Sequence, residues 1–116
     1  MSDSELTELA GPNGGDQLSA EARVLLGRVG RWTARSWAVR ADGRTRSDVV
    51  FALVRRLADI TANAEGEPRR DVPRLDDGVL PDQLTVVTHD LLRTGSPVAY
   101  RDGLAAVRAT HTTLFG

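Results

Sequence analysis

The sequence predicts an all-α fold, a single-domain four-helix bundle with a flexible N-terminal tail and a long loop between the second and third helices. Three observations lead to this prediction. Four segments repeat apolar residues with the period of an α-helix. No segment alternates between polar and apolar residues as a half-buried strand does. At 116 residues, the chain has room for one domain with one modest core.

Residues 1–17 are predicted to form a disordered acidic tail, and residues 18–116 the bundle. The first 16 residues carry four acids and no base, and they include the helix-breaking sequence GPNGGD. They lack the basic start and apolar stretch of a signal peptide. The longest apolar run, VVFALV, is far shorter than the roughly 20 residues of a membrane span. We therefore expect a cytoplasmic protein with no membrane contact.

The first helix is predicted over residues 19–40, with Ser19 as its N-cap. Asp42-Gly43 is a sequence that also occurs in β-hairpin turns. Because both flanks have helical period, we interpret it as a turn between helices. The side of the helix expected to face the core spans an arc of roughly 120° and consists of Leu18, Ala22, Leu25, Leu26, Val29, Trp32 and Thr33.

The second helix is predicted over residues 48–64, with either Ser47 or Thr45 as its N-cap. Residues 65–79 follow as a long loop, and we expect Val72 and Leu75 to pin it to the bundle. The loop is long enough for a crossover, so the third helix need not run antiparallel to the second.

The third helix is predicted to begin at Pro81 and to end at Gly95. Ser96 then caps a fourth helix over about residues 97–114, which Pro97 opens. The apolar lines of these two helices are Leu80, Leu84, Val87 and Leu91, and then Tyr100, Leu104, Val107, His111 and Leu114.

Positive charge is concentrated near the first helix. All 15 basic residues are arginines, and residues 17–46 contain seven of them against two acids, although the whole chain has a net charge of −1. Arg28, Arg31 and Arg35 form a stripe on the predicted first helix, which is either a solvated helix face or a surface that contacts phosphates while a neighbouring indole stacks on a base. In the second case the acidic tail is a candidate internal mimic of the ligand. The candidate anion-binding residues are Arg28, Arg31, Arg35, Arg40, Arg44 and Arg46.

Small residues gather on another side of the predicted first helix. Glycine inside a helix costs about 1 kcal/mol relative to alanine, so two glycines within four residues call for a reason. Close approach of a second backbone supplies one, either within the bundle or from a partner subunit. Large aromatic residues are common anchors of interfaces. The candidate interface residues are Gly27, Gly30, Ala34, Trp32 and Trp37.

Catalytic and metal-binding motifs are weak in this sequence. The absence of cysteine excludes disulfides, thiol nucleophiles and thiolate zinc sites. The two histidines lack metal-ligand spacing, and no serine has the sequence context of a nucleophile elbow. Tyr100 and His111 are candidates for a small-molecule pocket, although a histidine on an apolar face is commonly a packed residue with one hydrogen bond. We expect no metal, no cofactor and no enzymatic activity.

Two functional hypotheses follow from these patterns. The first is a small helical interaction module that self-associates, as a homodimer, through the glycine-bearing side of the first helix. The alternative is an anion- or nucleic-acid-binding regulator that uses the arginine-rich first helix. The expected partners are accordingly a second copy of the chain, another protein or a nucleic acid.

Overall fold

Four long helices make up most of the chain, which confirms the all-α prediction. The computed structural model describes residues 12–116. The long helices are α1 (Pro12–Val29), α3 (Arg46–Ala64), α4 (Leu80–Leu92) and α5 (Pro97–Phe115). Between α1 and α3 lie a short helix, α2 (Ala34–Ala38), and a hairpin of strands β1 (Arg40–Ala41) and β2 (Arg44–Thr45). A 3-10 turn, Asp77–Val79, precedes α4.

One apolar core joins the long helices. Helix α3 packs against α4 and α5, while α1 packs against α5 and α4. The buried core residues are Leu18, Leu25, Val29, Trp37, Val49, Val50, Leu53, Val54, Leu57, Ile60, Leu80, Leu84, Leu91, Ala99, Leu104, Val107 and Leu114. Most of them belong to the apolar faces that the helical periodicity predicts.

Helix α1 begins earlier than the sequence predicts. Its first residue is Pro12, a residue type favoured at the first helical position because its missing N–H would have no partner there. A Cβ built on Gly15 would lie 3.6 Å from side-chain atoms of Leu92 and Tyr100, so this turn contacts the bundle. The prediction of a tail extending to residue 17 is therefore wrong for residues 12–17, and residues 1–11 lie outside the described residues.

The prediction of a single helix over residues 19–40 is also wrong. Helix α1 ends at Val29, and a Cβ on Gly30 would lie only 2.8 Å from the carbonyl oxygen of Leu26, so this turn requires a glycine. Thr33 then starts α2 as its N-cap, because its hydroxyl accepts a hydrogen bond from Ser36 N while the Ser36 hydroxyl accepts one from Thr33 N. Thr33 is thus exposed and does not belong to the core arc.

A hairpin replaces the predicted interhelix turn around Asp42. Asp42 and Gly43 have φ values of 54° and 77°, the two positive values that a type I′ turn requires. Arg40 pairs with Thr45, and Ala41 with Arg44. The Asp-Gly sequence therefore does mark a hairpin, and the prediction of a chain without strands is wrong at this point.

The other helices agree closely with the predicted ones. Thr45, rather than Ser47, caps α3, because its hydroxyl accepts a hydrogen bond of 3.1 Å from Asp48 N. Ser96 caps α5 through a hydrogen bond of 3.1 Å from Ala99 N, as predicted. Helix α4 ends at Leu92, three residues before Gly95, which was predicted to end it.

The loop over residues 65–79 is a crossover. Although it starts at the end of α3, Arg74 donates 3.1 Å to the Ser47 hydroxyl and 3.3 Å to Asp48, at the beginning of α3. Its guanidinium also lies 4.6 Å from the Phe51 ring centroid. Helices α3 and α4 consequently begin at the same end of the bundle. Val72 packs on the core as expected, whereas Leu75 is 47% exposed and does not pin the loop.

Glycine gives close packing at a position that the sequence analysis did not select. Gly103 in α5 is buried, and a Cβ there would lie 3.0 Å from Leu91 Cδ1 and 3.3 Å from Leu18 Cδ2. Around Gly27 in α1, in contrast, a Cβ would meet no atom within 4 Å among the described residues. Tight packing within the bundle therefore occurs at Gly103 on α5 rather than at Gly27 on α1.

This difference predicts opposite effects of two alanine substitutions. Gly27→Ala should raise the free energy of unfolding by about 0.5–1 kcal/mol, because the helix gains a better helix former in open space. Gly103→Ala should lower it by about 1–2 kcal/mol, because overpacking against two leucines outweighs the same gain. Urea unfolding followed by circular dichroism measures both. Equal stabilisation by the two substitutions would show that the contact at Gly103 is not tight.

Candidate functional site

An aromatic cluster lies at the end of the bundle where α1 and α5 end and α3 begins. It consists of Trp32, Trp37 and Phe115. The centroids of the two indole rings are 4.8 Å apart with an edge-to-face angle of 83°, and the Trp32 and Phe115 centroids are 5.8 Å apart. Such geometry suits aromatic quadrupoles and adds to the stabilisation from buried area. The cluster fixes the chain between α1 and α3 onto the bundle.

The two tryptophans have different environments. Trp37 is only 2% exposed and belongs to the core, whereas Trp32 is half-buried at its edge. Both were predicted as interface anchors. Trp37 uses its surface inside the molecule, so a partner could reach it only if α2 moved.

Arg28 is held between an aromatic ring and a histidine. Its guanidinium carbon lies 4.0 Å from the Phe115 ring centroid, and its Nη1 lies 3.1 Å from His111 Nε2. Because a guanidinium only donates, His111 Nε2 accepts this hydrogen bond. The His111 ring centroid is in turn 5.1 Å from that of Phe115. His111 is thus the half-buried residue with one hydrogen bond that the alternative interpretation describes.

Arg46 is held in a similar way, by the ring of Trp32 and a backbone carbonyl. Its guanidinium carbon lies 4.8 Å from the Trp32 ring centroid, and its Nη1 donates 3.5 Å to the carbonyl of Ser36. A ring attracts a guanidinium without neutralising its charge. Arg28 and Arg46 are therefore oriented side chains that keep their positive charge.

We call the six candidate anion-binding residues the arginine cluster. Four of them, Arg28, Arg31, Arg35 and Arg40, were predicted to lie on one helix. They do not, because α1 ends at Val29 and Arg35 lies in α2. Arg31, Arg35, Arg40 and Arg44 are exposed, and Arg40 donates a hydrogen bond to the carbonyl of Gly43. The cluster is thus distributed over α1, the turn after it, α2, the hairpin and the beginning of α3 instead of forming a stripe on one helix.

The arginine cluster lacks carboxylate partners within the described part of the chain. In residues 12–116, no carboxylate oxygen lies within 4.0 Å of a guanidinium nitrogen of the cluster. Every ion-paired arginine comes later in the sequence: Arg70, Arg74, Arg93, Arg101 and Arg108. Asp42, at the hairpin turn, is the single acid between residues 28 and 46 of the sequence. Residues 28–46 therefore carry six arginines against one acid, a net charge of +5, although the whole chain is slightly acidic.

The predicted interface residues do not form a continuous strip. Gly27 lies in α1, Gly30 in the turn that follows and Ala34 in α2, and all three are exposed. Gly30 is explained by its close approach to the Leu26 carbonyl oxygen within the same chain. Of the two glycines, only Gly27 has no packing reason to be glycine among the described residues. Val24, one turn before it, is 56% exposed.

Tyr100 and His111 do not meet in a common pocket. They are three turns apart on α5, which corresponds to about 16 Å along the helix axis. The Tyr100 hydroxyl donates 2.7 Å to the carbonyl of Leu92, at the opposite end of the bundle from Arg28. Each side chain is engaged in a separate contact.

Phe115 is the site residue that the sequence analysis missed. It lies four residues after His111, so helical spacing places both on one side of α5. The sequence therefore contained a signal that Phe115 lies beside His111. It contained no signal for the contact between Phe115 and Arg28, because that contact depends on how α1 and α5 pack.

Residues 12–116 contain neither a metal-ligand cluster nor a membrane-spanning helix. No group of three or more histidine, aspartate or glutamate side chains is placed to hold a metal ion. None of the helices in this part of the chain is long and apolar enough to cross a membrane.

The contact between Arg28 and His111 predicts the tautomer of the neutral histidine. Since Nε2 accepts from Arg28, the ring proton should sit on Nδ1, and nitrogen chemical shifts of the imidazole measure this directly. Arg28→Ala should lose this preference, while Arg31→Ala should retain it. A neutral ring protonated on Nε2 in the unsubstituted protein would contradict the contact.

Comparison with known proteins gives no family for this chain. No protein-family model matches it, and neither a curated protein nor a solved structure does. The interpretation of function therefore depends on its own residues.

Proposed function

We propose that this chain is a binding protein for a polyanion, with nucleic acid as the ligand class, and that the arginine cluster is its binding surface. The observation that carries this proposal is the group of six arginines without carboxylate partners in residues 12–116. Guanidinium groups match phosphate oxygens with two parallel hydrogen bonds, which makes arginine a common phosphate ligand.

The orientation of two cluster members supports the same proposal. Arg28 and Arg46 rest on aromatic rings, so less side-chain entropy is lost when they bind a phosphate. The later arginines give a useful contrast, since Arg74 and Arg108 face carboxylates. Within residues 12–116 the charges of these two arginines are compensated by a carboxylate, whereas those of Arg28 and Arg46 are not.

Salt-dependent binding is the expected result. The full chain should bind a fluorescently labelled nucleic acid, and four phosphate contacts would weaken binding on the order of 100-fold between 50 and 200 mM salt. The double substitution Arg31→Ala/Arg35→Ala should weaken binding about 10-fold or more at 50 mM salt and reduce the salt slope by about two. Fluorescence anisotropy measures both quantities.

The matched control for this experiment is Arg55→Ala/Arg56→Ala. Both arginines are exposed on α3 and have no carboxylate partner within the described residues, so the net charge changes equally away from the cluster. If the control pair weakens binding as much as the cluster pair, the interaction follows net charge and not this surface. No binding at 50 mM salt would refute the proposal itself.

Self-association is the second candidate function, and one observation favours it. Val24 is 56% exposed, and Gly27, on the same side of α1, has open space around it. A second copy of α1 would find room for close approach there. As a homodimer, the chain would retain the arginine cluster of each copy.

Light scattering at high micromolar concentration tests this second candidate. The expected result is a dimer that Gly27→Leu converts to a monomer, because the larger side chain keeps the backbones apart. Gly30→Leu is a poor test, since its Cβ would clash with Leu26 within one chain. A monomer at every concentration would exclude self-association, and a dimer unaffected by Gly27→Leu would exclude this surface.

A further inference from the structure

The hairpin between α2 and α3 is a short, rigid arm. Its two-residue turn uses Asp42 and Gly43 in the type I′ conformation, which matches the twist of paired strands. Arg40 donates a hydrogen bond across the turn to the carbonyl of Gly43. The base of the arm is fixed by Arg46 N, which donates 2.8 Å to the carbonyl of Val39, and by Thr45, which caps α3.

The tip of this arm is exposed, and an arginine lies on each of its two strands, Arg40 and Arg44. Asp42, Gly43 and Arg44 are all exposed, and a Cβ on Gly43 would meet no atom within 4 Å in the described part of the chain. Ala41 is half-buried and packs on the core, so the arm is anchored on one side only. Arg44 has neither an ion pair nor a side-chain hydrogen bond within residues 12–116.

We propose that this hairpin enters the major groove of double-stranded DNA while the neighbouring arginines contact phosphates beside the groove. This inference rests on the proposed function and specifies its ligand. The major groove of B-DNA is about 12 Å wide and 8.5 Å deep, and it admits a two-stranded β-ribbon. The two strands of a hairpin lie about 4.8 Å apart, which is less than half the width of that groove.

Arg44 is the residue that reaches the base edges. An arginine in the major groove donates two parallel hydrogen bonds to O6 and N7 of guanine. Arg44 lies on the exposed part of the arm, and its guanidinium is not engaged within the described residues. Arg40 is braced across the turn and serves to stiffen the arm. Arg28 and Arg46, oriented by their rings, contact the phosphate backbone.

The aromatic cluster argues against single-stranded nucleic acid as the preferred ligand. Single strands are bound largely by stacking of bases on open aromatic faces. Trp37 is buried, Phe115 carries the guanidinium of Arg28, and Trp32 carries that of Arg46. Double-stranded RNA is disfavoured for another reason, because its major groove is too narrow for side chains to read.

Asp42 makes this proposal testable by a gain of affinity. In the major groove its carboxylate would approach the negative charge of the DNA. Asparagine tolerates the left-handed conformation equally well and is favoured before glycine in type I′ turns. Asp42→Asn therefore removes one negative charge and leaves the turn intact, and a loss of folding cannot mimic tighter binding.

The experiment measures binding of the full chain to a 16-base-pair DNA duplex containing guanine, to one of its single strands and to the RNA duplex of the same sequence, all at 50 mM salt. We expect the DNA duplex to bind most tightly. Asp42→Asn should tighten duplex binding by about 3- to 10-fold, because a like charge is removed from the contact. Arg44→Ala should weaken it by about 10-fold or more, because the two hydrogen bonds to guanine are lost.

Two matched controls test position within the chain. Glu65→Gln removes one negative charge at the far end of α3, about 28 Å from the hairpin along a helix of 19 residues. Screening at that distance should hold its effect within twofold. Arg55→Ala removes one exposed arginine from the outer face of α3 and should likewise change duplex affinity little.

The possible outcomes separate the two proposals. If the arginine cluster is needed for binding but Asp42→Asn and Arg44→Ala have no more effect than their controls, the hairpin is not in the groove and the proposed function stands. Tighter binding of the single strand or of the RNA duplex also overturns the major-groove proposal alone. If none of the three nucleic acids binds at 50 mM salt, the proposed function fails together with it.

Discussion

Burial of the Trp37 indole is the constraint on which the candidate site depends. The ring is the largest fully buried side chain among the described residues. It belongs to α2, a five-residue helix that is too short to be stable alone, so the packing of the ring on the core holds this helix in place. Trp32 packs on its ring and Phe115 on that of Trp32, so one buried residue sets the position of the whole segment between α1 and α3. The position of the hairpin, which follows α2 directly, therefore depends on the packing of Trp37.

Aromatic rings and carboxylates have different consequences for the arginines they hold. A carboxylate cancels the charge of its partner, as Asp48 and Asp77 do for Arg74 beside the loop. A ring orients the guanidinium and leaves its charge in place, as Phe115 does for Arg28. Arg74 thus ties the loop to the beginning of α3, whereas Arg28 and Arg46 keep their charge on aromatic rings, in a chain with a net charge of −1.

The sequence predicted α3, α4 and α5 well because their apolar periods are continuous and their starts carry strong signals, such as Ser96 before Pro97. It failed between residues 30 and 46, where Trp32 and Thr33 continue the helical period past the true end of α1. The decisive interactions there are a close backbone approach at Gly30 and a capping box completed by Ser36 instead of the usual glutamate. The arginine cluster was predicted as a group. The contacts that orient its members were not predicted, because they join residues far apart in sequence, such as Arg28 and His111, which are 83 residues apart.

The crossover of the loop after α3 has a consequence for how this chain folds. Because α4 starts beside the beginning of α3, these two helices are not joined by a short antiparallel turn, and α1 packs on α5, which lies near the other end of the sequence. Mean sequence separation between contacting residues is the main determinant of folding speed among small domains. The chain must lose the entropy of closing these long segments before the contacts of the core form and stabilise the fold. This bundle should therefore fold more slowly than an up-and-down bundle of equal length and stability.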